Sequence, residues 1–314
     1  MPPKKSIIDL SIPKPKASAH RIETPPELPA LHSTTAFIGP RGSGKSTAAF
    51  HLLDCYKKAG CIDRIFCISP SVKSNWSLMS KLDIDDQDIY EDPDQSGILE
   101  DIIGRMEEER LEFEQYLDDK KDYELLNKYI SKDIQFDDEL GERFFDGTRY
   151  EAPKPPEFMG GKVKARLPNS ILLIDDCQGS KLLDSRALTK LVIKNRHVCQ
   201  ISKEHQDEVG YPACGLSVML LCQSYKSKGG GLSKAIRGNL TGLAFYKNKS
   251  DEEIDAVANE CCAECSKQEF RKVYEKALEG PPYSFLFVDF SKKTMHPSMF
   301  RRNFNEFIIP TQIE

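Results

Sequence analysis

Residues Gly39-Pro40-Arg41-Gly42-Ser43-Gly44-Lys45-Ser46 satisfy every fixed position of the pattern G-x-x-x-x-G-K-[ST]. The flanking segments have the character that this pattern needs. Upstream, Thr34-Thr35-Ala36-Phe37-Ile38 is β-branched and apolar, as a strand requires; downstream, Ser46 to Leu53 continues as a helix. A strand that turns through glycines into a helix presents a row of backbone N–H groups at the positive end of the helix dipole, a ready-made anion site. Gly39, Pro40, Arg41, Gly42, Ser43, Gly44, Lys45, Ser46 and Thr47 are therefore the predicted cradle of a nucleoside triphosphate. In that cradle Lys45 reaches the β/γ-phosphates and the Ser46 hydroxyl holds Mg²⁺.

The partner of this loop is expected in Ser170-Ile171-Leu172-Leu173-Ile174-Asp175-Asp176, an apolar run that ends in two carboxylates. A run with no polar alternation suits a central strand of a parallel sheet covered on both faces, and such sheets place ligands at the carboxyl ends of their strands. Asp175 is read as a Mg²⁺ ligand, directly or through water, and Asp176 as the group that polarises the attacking water. A third run, Leu216 to Cys222, ends in Gln223, which could orient water and report on the γ-phosphate. Arg64–Ser69, Leu240–Tyr246 and Tyr283–Asp289 are further strand candidates, mostly separated by helical stretches. The expected fold is α/β: a P-loop NTPase with a mostly parallel central sheet flanked by helices.

Taken in order along the chain, these segments resemble the genome-packaging ATPases of nucleocytoplasmic large DNA viruses and related elements, a branch of the FtsK/HerA P-loop superfamily. The resemblance runs from about Thr34 to Phe304, insertions apart. It is carried by FIGPRGSGKST (37–47), IFCISPS (65–71), ILLIDDCQ (171–178), NRH (195–197), LLCQSYKS (220–227), IRGN (236–239) and YSFLFVDF (283–290). It implies hydrolysis of ATP with Mg²⁺ to move double-stranded DNA into a preformed capsid at a portal vertex. The motor would be a homo-oligomeric ring, a hexamer or pentamer, working in the host cytoplasm or viral factory and in association with the virion. It also implies a trans-acting arginine, Arg196 or Arg237, completing a neighbour's site. Two departures are visible: eighteen residues separate His197 from Leu216, and Asp176 stands where many P-loop motors have Glu.

Composition agrees with a single motor domain plus additions. The chain has 314 residues, 39% of them hydrophobic, and no run of eighteen apolar residues, so no membrane span is expected. Met1-Pro2-Pro3-Lys4-Lys5 is not a secretory signal, and the ten cysteines, mostly scattered in apolar segments, read as reduced core residues. The net charge of −5 conceals a polarity: residues 83–160 hold 26 acidic and 9 basic side chains, leaving the remainder basic. A basic remainder suits a DNA backbone, with Lys226 and Lys228 beyond Gln223 as candidate contacts.

Residues 83–160 are read as an acidic helical insertion. Leu99, Ile102, Met106, Phe113 and Leu117 make one stripe, and Leu125, Leu126, Tyr129 and Ile130 a second after a polar interval, which suggests a helical hairpin or arm. Residues 1–30, rich in proline and lysine, are expected as a flexible tail ahead of an ATPase domain spanning 31–314. Two other classes share the P-loop: a small-molecule or nucleoside kinase, and an NTP-binding switch module. A kinase would need an acceptor pocket, and a switch module would bind its nucleotide without fast turnover.

Overall fold

The computed structural model describes residues 22–226, 231–261, 265–291 and 295–313. Its strands are β1 Thr34–Ile38, β2 Arg64–Ile68, β3 Ile89–Tyr90, β4 Glu157–Phe158, β5 Val163–Lys164, β6 Ser170–Asp175, β7 Ser217–Cys222, β8 Gly242–Tyr246, β9 Phe285–Asp289, β10 Phe300–Arg302 and β11 Glu306–Phe307. The helices are α1 Lys45–Lys58, α2 Val72–Met79, α3 Ile98–Ser131, α4 Asp138–Glu142, α5 Arg186–Lys194, α6 Gln206–Val209, α7 Lys234–Arg237, α8 Asp251–Cys261 and α9 Lys267–Leu278.

Nine strands form one sheet in the order β11-β10-β9-β8-β1-β7-β6-β2-β3, with β4 and β5 pairing apart from it. From β8 to β3 every pairing is parallel; β9, β10 and β11 add an antiparallel edge. β1 lies between β7 and β8, although it precedes both by about 180 residues or more, so long crossovers meet at its carboxyl end. Crevices at such positions are where open α/β sheets take ligands.

The apolar runs of the central strands are buried on both sides, which is why they lack polar alternation. Within β6, Ile171 and Leu173 join Phe37, Leu52, Leu53 and Met219 on the face covered by α1 and α2. Leu172 and Ile174 join Phe66, Leu188, Val218 and Phe245 on the other face, which α3, α5, α8 and α9 cover. The result is three layers with two cores. Full burial of each such side chain contributes about 1.5–3 kcal/mol before conformational entropy is subtracted.

The polar interval Asp118–Asp122 does not turn the chain: α3 is one helix of 34 residues, about 50 Å long at the usual rise. Neither glycine nor proline occurs between Gly104 and Gly141, so nothing breaks the backbone hydrogen-bond ladder. The polar side chains have partners instead, with Arg143 bridging Asp119 and Asp122, while Lys120 and Lys121 meet Glu208. The first half of α3 belongs to the main core through Ile98, Leu99, Ile102, Met106, Phe113 and Leu117. The acidic segment also lends β3 to the sheet edge.

The long interval after His197 carries α6 and docks on α3, where buried His205 meets Asp118 at 3.2 Å and the Ser202 N–H donates to Glu114 at 2.8 Å. Residues 22–30, within the segment expected as a tail, lie against the domain. The Tyr56 hydroxyl donates to the Pro29 carbonyl at 2.9 Å, and Arg301 donates to that of Glu27 at 3.2 Å. Among the described residues no helix is long and apolar enough to cross a membrane.

Candidate nucleotide site

The loop between β1 and α1 requires its glycines. A Cβ on Gly39 would lie 2.6 Å from the Tyr246 Cβ and 2.9 Å from the Ser43 Oγ, and Gly44 adopts φ 92° as it caps α1. No side chain caps that end and no acidic residue occupies its first turn, so the dipole and the first N–H groups are available to an anion. The Lys45 ammonium, at the start of α1, donates to the carbonyls of Gly39 at 2.7 Å and Pro40 at 3.0 Å. Burial lowers its pKa, opposed by the carboxylates of Asp175 and Asp176.

β6 brings its carboxyl end to the same place. Asp175, only 3% exposed, accepts from the Ser46 Oγ at 2.9 Å and from the Asn75 Nδ2 at 3.1 Å, both on Oδ2. Burial raises its pKa; the Ser46 hydrogen bond and Lys45 oppose that shift, and Asp176 reinforces it. Asp176 is exposed and has φ 55°, a left-handed conformation that turns the chain away directly after the strand. The two adjacent carboxylates therefore sit in different surroundings, one fixed and one free to meet solvent.

A Mg²⁺ ion fits these donors. Two neighbouring oxygens of an octahedral Mg²⁺ at 2.0–2.1 Å are about 2.9 Å apart, the separation that the Ser46 hydroxyl and the Asp175 carboxylate already have. Both are hard oxygen ligands. By contrast, the nearby thiols of Cys67 and Cys222 are pushed up to about 12 by burial, and that of Cys177 also rises, so all three stay neutral and are poor nucleophiles.

The cleft has a volume of about 450 Å³. Predicted residues Arg41 to Thr47, Asp175, Asp176 and Gln223 line it, with Gly39 and Pro40 behind the loop. Asn75, Ser71, Ser74, Gln178 and Tyr283 line it as well, and sequence reasoning gave none of them a role. Only the position of Ser69-Pro70-Ser71 directly after the β2 run could have pointed to the first three. The Ser69 Oγ accepts from the Ser71 N–H at 3.2 Å, shaping the turn that aims α2 at the cleft.

The remaining candidates lie outside the cleft lining. Arg196 is exposed in a short 3₁₀ turn after α5. Arg237 ends α7 with its side chain largely buried; it pairs with Glu260 at 3.0 Å and lies over the Tyr225 ring at 5.3 Å. Lys226 is exposed two residues beyond Ser224, and its N–H donates to Glu253 of α8 at 3.0 Å. Lys228 lies outside the described residues.

No protein-family model and no curated protein matches the chain. Solved structures do. The genome-packaging NTPase B204 of Sulfolobus turreted icosahedral virus 2, in complex with sulfate, is 13% identical with a TM-score of 0.41, over 88% of this chain and 97% of that one. The same NTPase in complex with ATP-gammaS gives 14% identity and a TM-score of 0.37, over 86% and 95%. B204, the DNA-packaging ATPase of Sulfolobus turreted icosahedral virus, gives 13% identity and a TM-score of 0.46, over 86% and 96%. A likeness of this degree leaves the function to be argued from the site's own residues.

Proposed function

We propose that this chain is a Mg²⁺-dependent ATPase that drives double-stranded DNA into a preformed viral capsid as one subunit of a homo-oligomeric ring. The hydrolytic part rests on one observation: Lys45, Ser46 and Asp175 converge in a single cleft, with the Ser46 and Asp175 oxygens 2.9 Å apart. In this reading Lys45 exchanges the carbonyls of Gly39 and Pro40 for phosphate oxygens, and the N–H groups at the start of α1 hold the anion in place. Ser46 and Asp175 would hold Mg²⁺, which neutralises charge on the phosphate oxygens when bound. Exposed Asp176 takes a proton from, or polarises, the attacking water, and Gln223 orients it.

The DNA part rests on the ordered motifs from Phe37 to Phe290 and on the basic balance outside residues 83–160. ATP turnover with and without duplex DNA tests it: stimulation by DNA is expected. Absence of duplex binding at low salt would overturn the motor, and stimulation by a small acceptor would favour a kinase.

Of the two arginines, Arg196 is the better trans-acting finger, because Arg237 would first have to leave Glu260 and Tyr225. Arg196→Ala and Asp176→Asn subunits, each nearly inactive alone, should regain turnover when mixed, since some interfaces then combine an intact carboxylate with an intact arginine. No recovery on mixing, with Arg196→Ala at full turnover, would remove Arg196 from the site.

Lys226 extends from a stem that Glu253 fixes, which suits a phosphate contact coupled to the strand end bearing Gln223. Lys226→Ala is expected to make the log–log salt dependence of duplex affinity shallower by roughly one unit, with sequence preference unaltered. An unaltered slope would move the DNA contact elsewhere.

A further inference from the structure

The phosphate loop is open on two sides. Asp175, Asp176, Asn75 and Gln223 stand on the β7/β6 side of β1. On the opposite side, over the ends of β8 and β9, lies a second hollow of about 420 Å³. The two hollows share Arg41, Gly42, Ser43 and Tyr283, so they meet across the loop. Their characters differ, because Tyr246, Leu278, Pro281 and Pro282 give the second one an apolar wall.

Tyr283 stands at the junction. A Cβ on Gly44 would lie 3.2 Å from the Tyr283 Cβ, so the aromatic side chain leans directly on the loop. It is 70% exposed, and its backbone has φ 73°, which costs a bulky residue on the order of 1 kcal/mol or more. That conformation closes a turn, with the Ser284 N–H donating to the Pro281 carbonyl at 3.1 Å, and it holds the ring in water beside the loop.

Building on the triphosphate reading above, we infer that this second hollow receives the nucleoside, with its base stacked on Tyr283. The direction follows from the loop itself. If the terminal phosphate lies by the Ser46 and Asp175 oxygens, the phosphate chain must leave on the side away from them, toward β8 and β9. Stacking accepts any base but strengthens with ring area, so the site prefers purine to pyrimidine nucleotides.

The test is equilibrium binding of ATP, CTP and inorganic tripolyphosphate to the full chain in Mg²⁺, by calorimetry. Wild-type protein should bind ATP more tightly than CTP. Tyr283→Ala should weaken ATP by roughly 5- to 100-fold, narrow the gap between ATP and CTP, and leave tripolyphosphate within about twofold. Tyr283→Phe, which keeps the ring, should stay within about twofold of wild type for all three. ATP affinity unchanged in Tyr283→Ala would overturn the inference, as would equal losses for ATP and tripolyphosphate, which would make Tyr283 a support of the phosphate loop. Wild-type protein that binds tripolyphosphate as tightly as ATP would overturn the nucleoside site alone. Protein that binds neither would overturn the triphosphate reading and the inference with it.

Discussion

Lys45→Ala should weaken ATP binding by roughly 100-fold, whereas Asp176→Asn should bind ATP nearly as wild type and lose about 10²- to 10⁴-fold in turnover. The two effects differ in kind because the residues meet different parts of the reaction. Lys45 is the one cation among the described residues whose ammonium already donates to the loop carbonyls of Gly39 and Pro40, at 2.7 and 3.0 Å. Its removal takes away the charge that attracts phosphate and leaves those carbonyls to water. Asp176 makes no contribution to that attraction; as a second carboxylate it opposes an anion, so neutralising it costs no affinity. What it offers is a basic oxygen at the exposed mouth of the cleft, which an amide cannot replace. Calorimetry and phosphate release, measured on both variants with circular dichroism as a control for folding, separate the outcomes. Wild-type turnover in Asp176→Asn would move the catalytic carboxylate to another residue.

The part of this site that was legible in the sequence is the part that lies on consecutive residues. Parallel central strands are buried on both faces, so Ile171 to Ile174 and Val218 to Cys222 read as unbroken apolar runs, and their ends follow from the first polar residue. The glycine loop is legible because each glycine answers a local need, as the Tyr246 contact at Gly39 shows. Asn75 and Tyr283 were not legible, since each is a single residue brought to the cleft by crossovers from elsewhere in the chain. The two-residue strand β3 and the short β10 and β11 have too few positions to establish a period of two. In α3 a change of apolar stripe suggests two helices. The stripe shifts because the helix leaves the core half-way along and then packs against residues 136–150, as the Tyr123–Phe144 ring contact shows.

Arg301 is the residue most opaque to sequence reasoning, and its pairing carries the largest expected effect on stability. In sequence nothing sets it apart from Arg302 beside it; in the fold it is 1% exposed. Its guanidinium donates to Asp289 Oδ2 at 2.8 Å and to the Phe304 carbonyl at 3.0 Å, and lies over the Phe307 ring at 4.7 Å. Burial already lowers its pKa, with Asp289 opposing the shift. Asp289→Ala would leave that cation in the interior without its counter-charge and should cost about 3–5 kcal/mol in urea unfolding followed by circular dichroism. Adding Arg301→Met to Asp289→Ala should recover much of the loss, because the penalty belongs to the unpaired charge and not to the absence of the pair. A loss below about 1 kcal/mol in the single variant would mean that water or a neighbouring dipole satisfies the guanidinium.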